Sequence, residues 1–149
     1  MGTNNKESDN LLSASGVSIK EKYFNQLNSD FQLLSEIVLE QLANTQHLLT
    51  EKNEELFILM KKNEKIIDSL DITIKEKVIN SIMFFNPVAI DLRKIMAYYD
   101  MTISLERVGD LIQNVAESIK KIDFSLDGFD TYIKLMGKML VHTDGMLKN

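Results

Sequence analysis

Apolar residues recur at alternating intervals of three and four through most of this chain, a spacing that admits α-helices and excludes strands, whose apolar period is two. Leu27, Phe31, Leu34, Val38, Leu42, Thr45 and Leu49 define a first seam, and Ile67, Leu70, Ile74, Val78, Ile82 and Phe85 a second. On a helix projection Ile90, Ala97, Met101, Leu105, Val108, Ile112, Val115, Ile119 and Ile122 share a third stripe. Tyr132, Leu135, Met136, Met139 and Leu140 carry a shorter fourth pattern within residues 128–147. One proline and six glycines in 149 residues leave little of the turn chemistry that a sheet requires. The expected fold is all-α: an antiparallel three-helix bundle over 17–122, followed over 123–149 by a linker and a partial fourth helix with no evident partner helix in the sequence.

Helix boundaries follow from local chemistry. Ser18 and Glu21 have the spacing of a capping box, so the first helix starts there and runs to about Leu49. Thr50 is the expected cap of a second helix that starts among residues 51–55 and ends near Phe84. Asn86 is the expected N-cap of the third, with Pro87 at its first position, where a missing N–H costs nothing, and the helix runs to about Ile122. Residues 123–127 read as its exit loop. Residues 1–16 have no sustained period and read as a flexible polar tail. Met1-Gly2 begins like a myristoylation signal, but Lys6 stands where Ser or Thr is needed.

Glu106 and Asp110 stand one turn apart on the third helix, where like charges repel by about 0.2–0.5 kcal/mol. They lie nearly opposite the third stripe and are expected to face outward, extended by Gln113 and Glu117. On the second helix Glu64, Asp68 and Asp71 stand at i, i+4 and i+7, on a face adjoining the seam, with Lys75 next in line. Counted from the turn at Phe85 and Asn86, Asp68 and Glu106 fall within about a turn of the same level at ~1.5 Å per residue. Two acidic faces can then converge across a groove. Either they are a solvated flank, with Asp71 paired to Lys75, or a cation joins them, and oxygen-only ligands suit Mg²⁺, Mn²⁺, Ca²⁺ or ferric iron.

The net charge of −5 gives no basic patch for a nucleic-acid backbone. The absence of cysteine excludes disulfides, thiolate metal sites and a cysteine nucleophile, and agrees with a reducing, cytoplasmic setting. No stretch approaches the ~18 apolar residues of a membrane span. His47 and His142 are isolated, and neither forms the Glu-x-x-His pair of di-iron bundles. There is no Gly-rich phosphate loop or Ser-His-Asp arrangement, so no enzymatic activity is expected. Asp91 and Arg93 are candidates for contact with a partner, against the simpler reading of helix-start electrostatics and an ion pair. Tyr98 and Tyr99 read as packing residues with a wet hydroxyl.

Asn86-Pro87, Asp91-Leu92-Arg93 and Leu105-Glu106-Arg107-Val108-Gly109-Asp110, with Glu64 to Asp71 upstream, together resemble the PhoU family of phosphate-signalling proteins. The resemblance covers roughly Phe24 to Ile122. It implies an all-helical protein built from two similar three-helix bundles and acting as a negative regulator of phosphate uptake. It further implies docking to the ATPase of the phosphate ABC transporter and to a membrane sensor histidine kinase. Family members bind iron or zinc through Glu/Asp-x-x-x-Asp motifs, which correspond here to Glu106 with Asp110 and Glu64 with Asp68, Asp71 being an additional ligand. Only the first bundle and the start of the next are present, so the chain reads as truncated or half-length and as a candidate homodimer, helix four packing on a neighbour. The alternative is a structural or oligomerising module, such as a PhoU-like domain of a sodium/phosphate cotransporter, whose acids are only surface.

Overall fold

The computed structural model describes residues 18–123 and 128–148. The expected tail, 1–16, and most of the expected exit loop lie outside the described residues. Among the described residues the chain is four helices and no strand, which meets the all-α expectation: α1 (Ile19–Leu48), α2 (Glu54–Phe85), α3 (Ala89–Lys121) and α4 (Phe129–Leu147). Each of α1, α2 and α3 packs against the other two, whereas α4 packs on α1 alone.

The capping box forms at the start of α1: Glu21 N–H donates to Ser18 Oγ at 3.1 Å and Ser18 N–H to the Glu21 carboxylate at 2.9 Å. The other two boundaries differ from expectation. Asn53, not Thr50, caps α2, accepting the Leu56 N–H at 3.2 Å, while Thr50 donates to the His47 carbonyl and closes the last turn of α1. Asn86 ends α2 instead of starting α3, with a left-handed backbone at φ 40°. Asn tolerates that region, and Pro87 can neither donate to the α2 ladder nor fit beneath the carbonyl one turn back. Pro87 therefore sits in the connection, and α3 begins after Val88 with no side-chain cap.

The core joins Leu27, Leu34, Val38 and Leu42 of α1 to Met60, Ile67, Ile74 and Val78 of α2 and to Ile95, Ile112, Ala116 and Ile119 of α3, with Leu140 of α4 beneath it. The α1 seam matches expectation. On α3 the stripe is turned: Ile90, Ala97 and Met101 are exposed, and Ile95, Thr102, Gly109, Gln113 and Ala116 face inward beside Ile112 and Ile119. On α2 the inward positions include Asn63, Asp71 and Ser81, and Ile82 is exposed. Gly109 faces α1 and α2, where a Cβ would meet its neighbours at ordinary contact distance, 3.4 Å from Ile67 Cδ1 and 3.9 Å from Val38 Cγ2. On α4 only Leu140 is buried, and Tyr132, Leu135 and Met139 of the expected seam are exposed.

Candidate functional site

Helices α2 and α3 run antiparallel from a three-residue connection, which brings Glu64, Asp68 and Asp71 opposite Glu106 and Asp110. Asp71, expected on a face adjoining the seam, lies in the seam itself. It is 8% exposed; one carboxylate oxygen accepts Lys75 Nζ at 2.7 Å, and the other, Oδ1, is buried without a hydrogen-bond partner. The Asp71–Lys75 pair expected of a solvated flank is present, but it is sunk into the helix interface. The Asp71 hydrogen bond is the main influence that raises the Lys75 ammonium above its usual range.

The surrounding carboxyls register one another's charge. Burial, then Asp68, Glu117 and Asp110, push the Glu64 carboxyl up, with Lys61 opposing. Burial, then Asp110, Asp71 and Asp68, push Glu106 up, with Lys75 opposing. The five acids singled out in the sequence, with Glu117, thus lie within reach of one another's charge along the α2–α3 contact. Glu106 does not point away from the bundle but is half-buried along the α2 contact, because the α3 stripe is turned toward it; Asp110 is exposed. Gln113, expected to face outward, is buried.

Three further polar residues lie in the helix contacts without a signal from hydropathy. Thr102, one turn before Glu106, is fully buried with an unpartnered hydroxyl; Gln41 donates to the Met60 carbonyl at 2.9 Å; and Asn63 reaches Glu40 at 3.3 Å. The signal was available in the spacing, for Thr102, Gly109 and Gln113 keep the inward period of α3 although none is apolar.

The donor set is carboxylate oxygen throughout, which suits a hard cation. Mutual repulsion and the orphaned Asp71 Oδ1 are both features a cation would relieve, so the residues fit one chemically. Among the described residues, no three Asp, Glu or His side chains are already gathered closely enough to hold a metal. Asp91 is placed apart, bonded to Lys20 of α1 at 2.7 Å, and Arg93 is exposed. Tyr98 packs on Phe31 at 5.2 Å between ring centres and donates to Asn28 at 2.7 Å. No described helix is long and apolar enough to cross a membrane.

Residues 31–119, which lie in α1 to α3, match the family model of the PhoU domain. The chain is similar to a phosphate-specific transport system accessory protein PhoU homolog of Aquifex aeolicus, at 34% identity over 84 residues, 56% of this chain and 38% of that protein. It is also similar to PhoU homolog 1 of Thermotoga maritima, at 32% over 111 residues, 71% of this chain and 48% of that protein. A homolog from Clostridium acetobutylicum is 29% identical over 106 residues, 70% of this chain and 48% of that protein. The chain spans less than half the length of these relatives. No solved structure matches it.

Proposed function

This chain belongs to the PhoU domain family, and on that premise we propose that it is a regulatory module of phosphate uptake. It acts by docking rather than by catalysis, and restrains transport and phosphate-starvation signalling when phosphate is plentiful. The relatives' shared description as accessory proteins of phosphate-specific transport supports this reading. By the resemblance, its partners are the ATPase of the phosphate ABC transporter and the sensor histidine kinase, met on the cytoplasmic side of the membrane. A pull-down in which neither associates would count decisively against it.

Within that role, the α2–α3 groove is a cation-binding element. The observation that carries this is the buried, unpartnered Asp71 Oδ1 beside two carboxyls whose ionisation their neighbours oppose. Glu64, Asp68, Asp71, Glu106 and Asp110 would hold the ion, iron or zinc by resemblance and Mg²⁺, Mn²⁺ or Ca²⁺ by donor chemistry. A bound cation supplies charge neutralisation and ties α2 to α3. The exposed Tyr132, Leu135 and Met139 of α4 would form the contact of a homodimer.

Elemental analysis of protein purified without chelator or His-tag, beside Glu106→Gln/Asp110→Asn, tests the groove. Near-stoichiometric metal that disappears in the variant is expected; metal-free protein in both cases refutes it. The Asp71–Lys75 ion pair favours a second reading, an oligomerising helical module in which Lys75 alone neutralises the seam. Under that reading neither protein carries metal.

A further inference from the structure

The end of the bundle at the α2–α3 connection is apolar where it meets solvent. Met83 and Phe84, in the last turn of α2, are 70% and 72% exposed; Val88 and Ile90, just across the connection, are 64% and 65% exposed. The start of α1 is held at the same end by Tyr23 and Phe24 against Phe85 and by the Lys20–Asp91 ion pair, which adds the exposed Ile19. Apolar side chains here are not residue of an imperfect core, because Phe85 between them packs on Tyr23 and Phe24 and the seams below bury Leu27, Val78 and Ile95. Exposed apolar groups gathered at one tip mark a surface that something covers.

The charge at this tip opposes that of the whole chain. Residues 77–85 of α2 contain no acid, and at the ends of α1 and α3 the acids are Glu21 and Asp91. Both are engaged, Glu21 in the capping box and Asp91 with Lys20. Lys22, Arg93 and Lys94 are exposed and form no ion pair among the described residues. A chain of net charge −5 therefore presents an apolar tip rimmed by free cations. On α3, Arg93 and Lys94 flank Ile90 at i+3 and i+4, so the cations border the apolar side chains and do not sit on another face.

We propose that this tip is a membrane-surface anchor: Ile19, Met83, Phe84, Val88 and Ile90 dip into the headgroup boundary of an anionic bilayer while Lys22, Arg93 and Lys94 meet its headgroups. The patch caps a helical hairpin and is not a groove, so it suits a surface that deforms around it better than a partner helix that must be received. Free cations beside it select for negative charge, each contributing about a fivefold change in binding near such a surface. No helix needs to span the membrane for this, and the anchor does not depend on the regulatory role of the groove.

The test is co-sedimentation of the full chain with vesicles of phosphatidylglycerol and phosphatidylethanolamine, beside vesicles of phosphatidylcholine alone. Binding to the anionic vesicles, weakened by salt and absent on the zwitterionic ones, is expected. Met83→Ser/Phe84→Ser should abolish it, and Arg93→Glu/Lys94→Glu should reduce it about 25-fold or more. The altered side chains stand in solvent, so both variants should keep the helical circular dichroism of the parent. Failure to bind anionic vesicles overturns the proposal, as does binding that both variants retain. A change in oligomeric state on Met83→Ser/Phe84→Ser without vesicle binding also overturns it, and assigns the tip to protein contact.

Discussion

Residues 89–104 of α3 bury only Ile95 and Thr102, whereas residues 105–121 bury Gly109, Ile112, Gln113, Ala116 and Ile119. One helix thus serves two environments. Its first half starts at the cationic tip and leaves Ile90, Met96, Met101 and Ile103 facing outward; its second half lies against α2 through a glycine and a line of carboxylates. Helical period alone does not separate the halves, since apolar residues continue at helical spacing through both. What separates them is which side the neighbouring helices occupy. On this helix an apolar stripe reports a surface to be covered, while buried polar residues report where the cover already is.

The largest expected contrast is between Ile112 and Ile90. Truncating the buried Ile112 to Ala should cost about 2–4 kcal/mol, and the same change at exposed Ile90 less than about 0.5, read from urea midpoints. Equal costs would mean that the two halves of α3 are packed alike. Gly109 sharpens the point. Its Cβ position meets Ile67 at ordinary contact distance, so Gly109→Ala should be neutral or stabilising by up to about 1 kcal/mol through helix propensity. Gly109→Leu, with no room beyond the Cβ, should cost about 1–3 kcal/mol.

Lys75→Met compares the buried ion pair with an open one. It leaves Asp71 buried without its one hydrogen-bonded partner and should cost about 2–4 kcal/mol, whereas Lys20→Met at the tip should cost at most about 1 kcal/mol, because that pair is wetter. The smallest effect concerns pH. The carboxyls of Glu64 and Glu106 are raised in the folded state above the usual glutamate value of about 4.5, so the folded protein holds their protons more tightly than the unfolded chain does. With chelator present, their contribution should then fall as pH rises from 4.5 through the raised values, and recover on acidification back through that window. Glu106→Gln should flatten that slope and stabilise the protein near neutrality by a few tenths of a kcal/mol, about the size of the i,i+4 repulsion removed.

Much of this architecture was legible in the residues. The Ser18–Glu21 box, the α1 seam and the matched levels of Asp68 and Glu106 needed only local rules and helix rise. The connection misled because Asn86-Pro87 satisfies the rules for starting a helix as well as those for ending one. A proline that cannot join the preceding ladder makes α2 end, and Asn86 is the residue able to turn left-handed there. The α3 stripe is turned from its apolar projection because Ile90 and Met101 are apolar but exposed, while the residues that face α1 and α2 include Thr102, Gly109 and Gln113. Asp71 was placed beside the seam for the same reason: a buried carboxylate is recognisable only once Lys75 is seen to accompany it into the interface.

The cation proposed to complete the acidic face of α2 and α3 can be tested directly. The direct measurement is the thermal midpoint of chelator-treated protein as Mn²⁺, Zn²⁺ or Fe³⁺ is added, followed beside Glu106→Gln/Asp110→Asn and the tip variant Met83→Ser/Phe84→Ser. A ligand of the folded state at 100 times its dissociation constant contributes about 2.7 kcal/mol, enough to raise the midpoint by roughly 5–10 °C in a chain of this size. That rise is expected in the parent and the tip variant, and its loss in the groove variant. A midpoint that no cation moves, or that moves equally in all three proteins, would contradict it.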